Sequence, residues 1–102
     1  MEKRKPTYDL DTIKAAFSTA EKLRMTKTAA DCAFTLGLRL NDVVEVIQST
    51  TRAHFRKSMT SIANHRVWQD VYNVPRGELL LYVKFTIDDD GHLLISFKEA
   101  TR

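Results

Sequence analysis

Between Phe55 and Glu99 the chain repeatedly sets side chains that can hold a phosphate or move a proton on stretches that read as sheet strands. They are Phe55-Arg56-Lys57-Ser58-Met59-Thr60, His65-Arg66-Val67-Trp68-Gln69-Asp70-Val71-Tyr72, Leu81-Tyr82-Val83-Lys84 and Ser96-Phe97-Lys98-Glu99. Cations, an amide, a phenol and imidazoles are there, and no metal-binding cluster accompanies them. This inventory suits binding a phosphodiester and cutting it without a metal ion. Such a reaction needs a base for the ribose 2′-hydroxyl, cations for the crowded anionic phosphorus, and an acid for the departing 5′-oxygen. Nothing else in the chain points to chemistry.

Groups of this kind work only if the fold aligns them. Leu79, Leu81, Val83, Phe85 and Ile87 alternate with Glu78, Leu80, Tyr82, Lys84 and Thr86, the two-residue period of a strand. The last strand places Leu93, Ile95 and Phe97 on one face, with Leu94, Ser96 and Lys98 on the other. Between them, Asp89-Asp90-Gly91 suits a three-residue hairpin loop with Gly91 in the left-handed position. That loop pairs Asp88 with His92, and so Phe85 with Ile95 and Val83 with Phe97. A slip of one residue would destroy the match of apolar faces. The same register sets Tyr82 opposite Lys98 on the face away from the helices, about 5 Å apart. The preceding hairpin has two readings. Pro75-Arg76-Gly77 favours a type I turn with a three-residue loop, which puts Trp68, Asp70 and Tyr72 beside Tyr82. A two-residue loop puts Gln69 there instead.

The first half reads as helical. Residues 1–8 form a basic arm, expected to be loose without a partner. Asp9 or Asp11 can cap a helix carrying Leu10, Ile13, Phe17 and Ala20. Thr26 or Thr28 opens a second helix to Leu36, stopped by Gly37. Asn41 caps a third through about Ser49, with Val43, Val44 and Ile47 facing in. The expected architecture is one α+β domain over residues 1–102: helices across 9–50, packed on an antiparallel sheet across 55–99.

At 102 residues the chain can bury a real core with little to spare. Its 43% hydrophobic and 28% charged content is ordinary for a soluble globular protein. A net charge of +3 permits a polyanion partner without requiring one. The distribution says more: from Val46 to Gln69 there is no acid, while Arg52, His54, Arg56, Lys57, His65 and Arg66 appear. A phosphate-binding lip and a solvated basic face both fit. Cys32, the single cysteine, reads as a buried small hydrophobe among alanines, and it rules out an internal disulfide or a sulfur-rich zinc site. The charged N-terminus is followed by no apolar run, so neither a signal peptide nor a membrane span is expected, and the cytoplasm is the expected location.

The strand segments and the opening Met-Glu-Lys-Arg resemble the motility quorum-sensing regulator (MqsR) family of mRNA interferase toxins. The Lys-Ser-Met-Thr and Trp-Gln-Asp-Val-Tyr blocks keep their order and spacing, and the resemblance spans the chain, dense after Phe55 and thin in the helices. It implies a RelE-like fold and a ribosome-independent endoribonuclease that cuts mRNA at a short motif such as GCU, arresting growth. It implies no cofactor or metal on this chain. The implied partner is an MqsA-like antitoxin bearing zinc and DNA binding on its own chain, so that operator DNA is reached only through it. No membrane is involved.

The family's catalytic positions fall on Lys57, Gln69, Tyr82 and Lys98, which implies that Gln69 shares Tyr82's face and favours the shorter loop. Lys57 and Lys98 then suit charge stabilisation, and a lysine beside another cation can have its pKa lowered toward the range of a general base. Tyr82 could hold the phosphate or relay a proton, and Gln69 could orient the ribose or bind a phosphate oxygen; acid and base stay unassigned. Auxiliary or RNA-binding candidates are His65, Arg56, Arg66, Trp68 and Lys84. For His65 a structural role competes with acid or base work. For Trp68, as for Tyr72, packing competes with base stacking. Arg56 stands where the family pattern has an aromatic residue, and the tail Ala100-Thr101-Arg102 is slightly long. Two rival readings remain. One is a helix-turn-helix DNA-binding module, set against by Asp42 and Glu45 on the would-be recognition helix. The other is a non-catalytic adaptor that binds protein on the sheet.

Overall fold

A computed structural model describes residues 1–100; Thr101 and Arg102, part of the long tail, lie outside the described residues. Three helices, α1 (Leu10–Ala16), α2 (Lys27–Thr35) and α3 (Leu40–Ser49), precede most of a five-stranded antiparallel sheet. Its strands are β1 (Glu2–Lys3), β2 (Phe55–Thr60), β3 (Trp68–Arg76), β4 (Leu79–Ile87) and β5 (Leu93–Glu99), ordered in space as in sequence. The fold is α+β, as expected.

Local chemistry sets the helix ends. Asp9 accepts from the Thr12 amide and Thr26 from the Ala29 amide, each satisfying a free N–H of a first turn. Gly37, at φ +73°, reverses the chain after α2 in a conformation that costs glycine little. The third helix starts earlier than expected: Arg39, not Asn41, is its N-cap, and Asp42 accepts from the Arg39 amide at 2.8 Å. Val46 rather than Val44 is its third fully inward residue, beside Val43 and Ile47. Cys32 is half-buried against the core.

The helices cover one face of the sheet. Ile13, Phe17, Ala29, Ala33, Val43, Val46 and Ile47 meet Tyr72, Val74, Leu81, Val83, Phe85, Ile95 and Phe97 in one buried cluster. Burying each large side chain of this kind contributes roughly 1.5–3 kcal/mol. The β4–β5 register is the one the turn required: Phe85 pairs with Ile95, Val83 with Phe97 and Tyr82 with Lys98, with Gly91 at φ +82°.

The N-terminal arm is not loose. Glu2 and Lys3 pair with Met59 and Ser58, adding β1 to the sheet edge. Behind it, the fully buried Asp70 carboxylate accepts from the Thr7 amide at 3.0 and 2.8 Å, the Tyr8 amide at 2.8 Å and the Ser58 hydroxyl at 2.6 Å. A buried carboxylate is tolerated only when such donors replace water, and the arm supplies them.

Candidate active site

The turn between β3 and β4 decides which side chains share a face. Arg76 pairs with Leu79, so the loop is the two residues Gly77 and Glu78, with Gly77 at φ +58°. A glycine first with positive φ is the type II′ pattern, whose twist suits a hairpin. The three-residue reading is therefore corrected. Asn73 pairs with Tyr82 and Val71 with Lys84, so Gln69 falls on Tyr82's face while Asp70 and Tyr72 turn toward the helices.

On the uncovered face, rows of side chains run across the strands. Asn73, Tyr82 and Lys98 form one row, and Lys57, Val71, Lys84 and Ser96 the next. Met59 and Gln69 belong to the row beyond. Tyr82 and Lys98 meet, with the ammonium 5.3 Å from the ring centroid. Gln69 lies four residues from Asn73, and so about 14 Å along the strands from the Tyr82 row. The four expected residues are thus two pairs, Tyr82 with Lys98 and Lys57 diagonal to Gln69, and Lys84 stands between them. Val71, in register between Lys57 and Lys84, is fully buried on this helix-free face, as expected where the aliphatic stems of long cationic side chains lie over it.

The lysines are not equivalent. Lys57 donates to Glu2 at 2.8 Å, and this bond holds Lys57 above its ordinary pKa and the Glu2 carboxyl below its own. Lys57 is therefore a fixed ammonium, suited to stabilising charge and unsuited to be the base. Lys84 moves the other way, lowered first by burial and then by the charge of Lys98.

The auxiliary candidates divide. Arg56 is the extra residue of a β-bulge, where pairing passes from Phe55–Tyr72 to Lys57–Val71. It lines a cleft of about 350 Å³ with Asn73, Tyr82, Lys98, Glu99 and Ala100. His65 and Arg66 are exposed in the β2–β3 loop, at the end of the face nearest Gln69. Trp68 points to the helix side and has the Lys3 ammonium 4.2 Å from its ring. Tyr72 is fully buried, edge-on to Phe55 and Phe85, and offers no surface for a base. Burial pushes its phenol up to about 12. His54 accepts from the Thr51 amide at 3.0 Å, a structural contact.

Sequence reasoning missed Glu2 and Asn73. Nothing local signals Glu2, since its partner is 55 residues away. Asn73 had a signal, a polar amide flanked by the apolar Tyr72 and Val74 and in step with Gln69 four residues earlier. Its side-chain oxygen is buried without a hydrogen-bond partner among the described residues, an arrangement that costs about 1–3 kcal/mol.

Among the described residues, one group of three side chains has ligand-type atoms within 4.8 Å of one another: Asp88, Asp90 and His92, in the β4–β5 turn. Asp88 is engaged by that turn, accepting from the His92 and Asp90 amides and from Arg24. These contacts, the His92 amide foremost, hold its carboxyl below the usual range. Asp42 and Glu45, the acids of the would-be recognition helix, bind Arg76 at 2.8 and 3.0 Å and tie α3 to the sheet. No helix among the described residues is long and apolar enough to cross a membrane.

The family described as motility quorum-sensing regulator, toxin of MqsA, matches residues 5–99. The mRNA interferase toxin MqsR of Escherichia coli (strain K12) is 37% identical over 99 residues, covering 97% of this chain and 99% of that protein. With nearly its whole length matched, the chain belongs to the motility quorum-sensing regulator toxin family.

Proposed function

We propose that this chain is an mRNA interferase, a toxin that cuts mRNA on the uncovered face of its sheet without a metal ion or a ribosome. The observation that carries the proposal is the register that sets Tyr82 against Lys98 and puts Lys57, Gln69 and Lys84 on the same face. The site begins at the cation-rich rows. Lys57, kept charged by Glu2, and Lys98 draw the scissile phosphate onto the face and stabilise the extra negative charge at phosphorus. Lys84, desolvated between them, is the side chain best suited to take the proton of the 2′-hydroxyl. As the O2′–P bond forms, the P–O5′ bond breaks and the 5′-oxygen takes a proton from the solvent-exposed Lys98. The products are a 2′,3′-cyclic phosphate and a 5′-hydroxyl. Tyr82 holds a phosphate oxygen and Gln69 orients the ribose on the 3′ or 5′ side.

On this reading the motif is a short one of GCU type, the target is cytoplasmic mRNA, and the outcome is growth arrest. An MqsA-like antitoxin restrains the toxin and carries the zinc and the operator binding on its own chain.

The test is to incubate purified protein, with EDTA and without ribosomes, with a long unstructured RNA and to map the ends. Discrete cuts at one short motif, leaving 5′-hydroxyl ends, are expected. No cuts from well-folded protein would overturn the proposal and favour a ribosome-dependent nuclease or a binding adaptor.

A further inference from the structure

Positive charge continues past the rows of the candidate active site to the edge of the sheet. Glu2, Lys3, Arg4, Arg56 and Lys57 line a cleft of about 420 Å³ there. Two pieces of tertiary structure assemble it. Arg4 follows directly on β1, one step along from the Lys3–Ser58 pair and so beside Lys57. Arg56 is the extra residue of the β2 bulge, without a pairing partner on β3, and a bulge of this kind re-aims its side chain.

The charges in this cleft do not cancel. Glu2 is matched by Lys57 at 2.8 Å, and the Lys3 ammonium lies against Trp68, on the helix side. Arg4 and Arg56 are exposed and take part in no ion pair among the described residues. The guanidinium fork of each fits the oxygens of a phosphate. Arg4 is out of step with the scissile phosphate, which is placed beside Lys84 on β4. The arm is three strand spacings from β4, about 14 Å across the sheet. Arg56 lines both this cleft and the one formed with Tyr82 and Lys98, so the two adjoin. An RNA strand that crosses the face toward β1 therefore brings a further phosphate to Arg56 and Arg4. Resting on the reading of this face as an RNA-cleavage site, we infer that Arg4 and Arg56 form a second phosphate subsite, which grips a phosphodiester of the same strand on one side of the cut. It reads no base, and it adds affinity only for RNA long enough to reach it.

The experiment compares the full chain with Arg4→Gln, Arg56→Gln and Arg4→Lys in two measurements. In the first, oligoribonucleotides spanning the mapped cut are lengthened one nucleotide at a time on either side. Wild-type kcat/KM is expected to rise roughly 3- to 10-fold at one length and on one side, through KM rather than kcat. The side on which it rises orients the strand on the sheet. In both glutamine variants the step shrinks or disappears, and Arg4→Lys, which keeps the charge, restores most of it. A neutral methylphosphonate at that one linkage reproduces the loss in wild type and adds little to it in Arg4→Gln, the signature of a direct pair. The second measurement is binding of a long 2′-O-methyl RNA, which lacks the attacking hydroxyl and stays whole. The slope of log affinity against log salt should fall by about 0.7 for each arginine lost. A length step that survives in both glutamine variants, or a loss equal at every length, would overturn the subsite. An unchanged salt slope would overturn it too. Wild type that cuts nothing, yet whose salt slope falls in the variants, would instead overturn the cleavage reading and leave the phosphate cleft standing.

Discussion

The two faces of the sheet are made from alternate residues of the same strands, and they do opposite work. Toward the helices β3 and β4 present Tyr72, Val74, Leu81, Val83 and Phe85, all buried in the core. Away from them the same strands present Gln69, Asn73, Tyr82 and Lys84, none fully buried. Two tyrosines in register-adjacent rows make the contrast plain. Tyr72 is locked among aromatic rings with a phenol that stays protonated, while Tyr82 is half-open beside an ammonium. Because side chains alternate strictly across a pleated strand, stability and reactivity are separated by a single residue step.

The largest effects should fall cleanly on one property per face. Phe85→Ala is expected to cost about 3–5 kcal/mol of stability by removing a buried ring, read in denaturant unfolding. Tyr82→Phe or Lys57→Ala should shift the unfolding midpoint little, while lowering cleavage about 10²- to 10⁴-fold. Normal turnover by either variant would sink the assignment of the uncovered face. Unfolding of both would sink the separation itself.

A smaller test concerns the buried carboxylate on the helix side. Asp70→Ala strands the Thr7 and Tyr8 amides and should cost about 3 kcal/mol. The same change should speed hydrogen exchange at those two amides. It should also weaken cleavage in part, by freeing the strand whose Glu2 holds Lys57. Unchanged exchange at Thr7 and Tyr8 would mean that Asp70 does not anchor the arm.

The smallest effect sharpens the comparison of the tyrosines. The Tyr72 hydroxyl has no partner among the described residues, so Tyr72→Phe should be neutral or stabilising by up to about 1 kcal/mol at neutral pH. Its pKa is raised in the folded state from 10.0 to about 12. Wild-type stability from this group is therefore complete below pH 10, and is lost as pH climbs through about 12. Tyr72→Phe should flatten that alkaline decline in melts compared at pH 8 and pH 11. A decline of the same size in the variant would assign it to another group.

The legibility of this fold in its sequence follows the same division. The β4–β5 hairpin could be read because turn chemistry and apolar alternation agree, and together they fix Tyr82 opposite Lys98. The β3 register could not, because Asp70 breaks the alternation. A carboxylate in a strand reads as outward, yet this one faces inward, where amides more than 60 residues away in sequence replace its water. The same long separation hid β1 and the Glu2–Lys57 bond, and through it the protonation of Lys57. Asn73 went unnoticed because its importance depended on the undecided turn.

By itself, then, the sequence determined the α+β class, the helix stop at Gly37, the first two caps to within a pair of residues each, the last hairpin and the chemical inventory of one face. These depend on periodicity, capping and turn geometry, all local. Only the tertiary structure decided which face Gln69 and Asp70 take, which lysine is held charged and which is desolvated, and that Arg56 and Asn73 line one cleft. Those outcomes depend on burial and on partners distant along the chain, which no local pattern encodes.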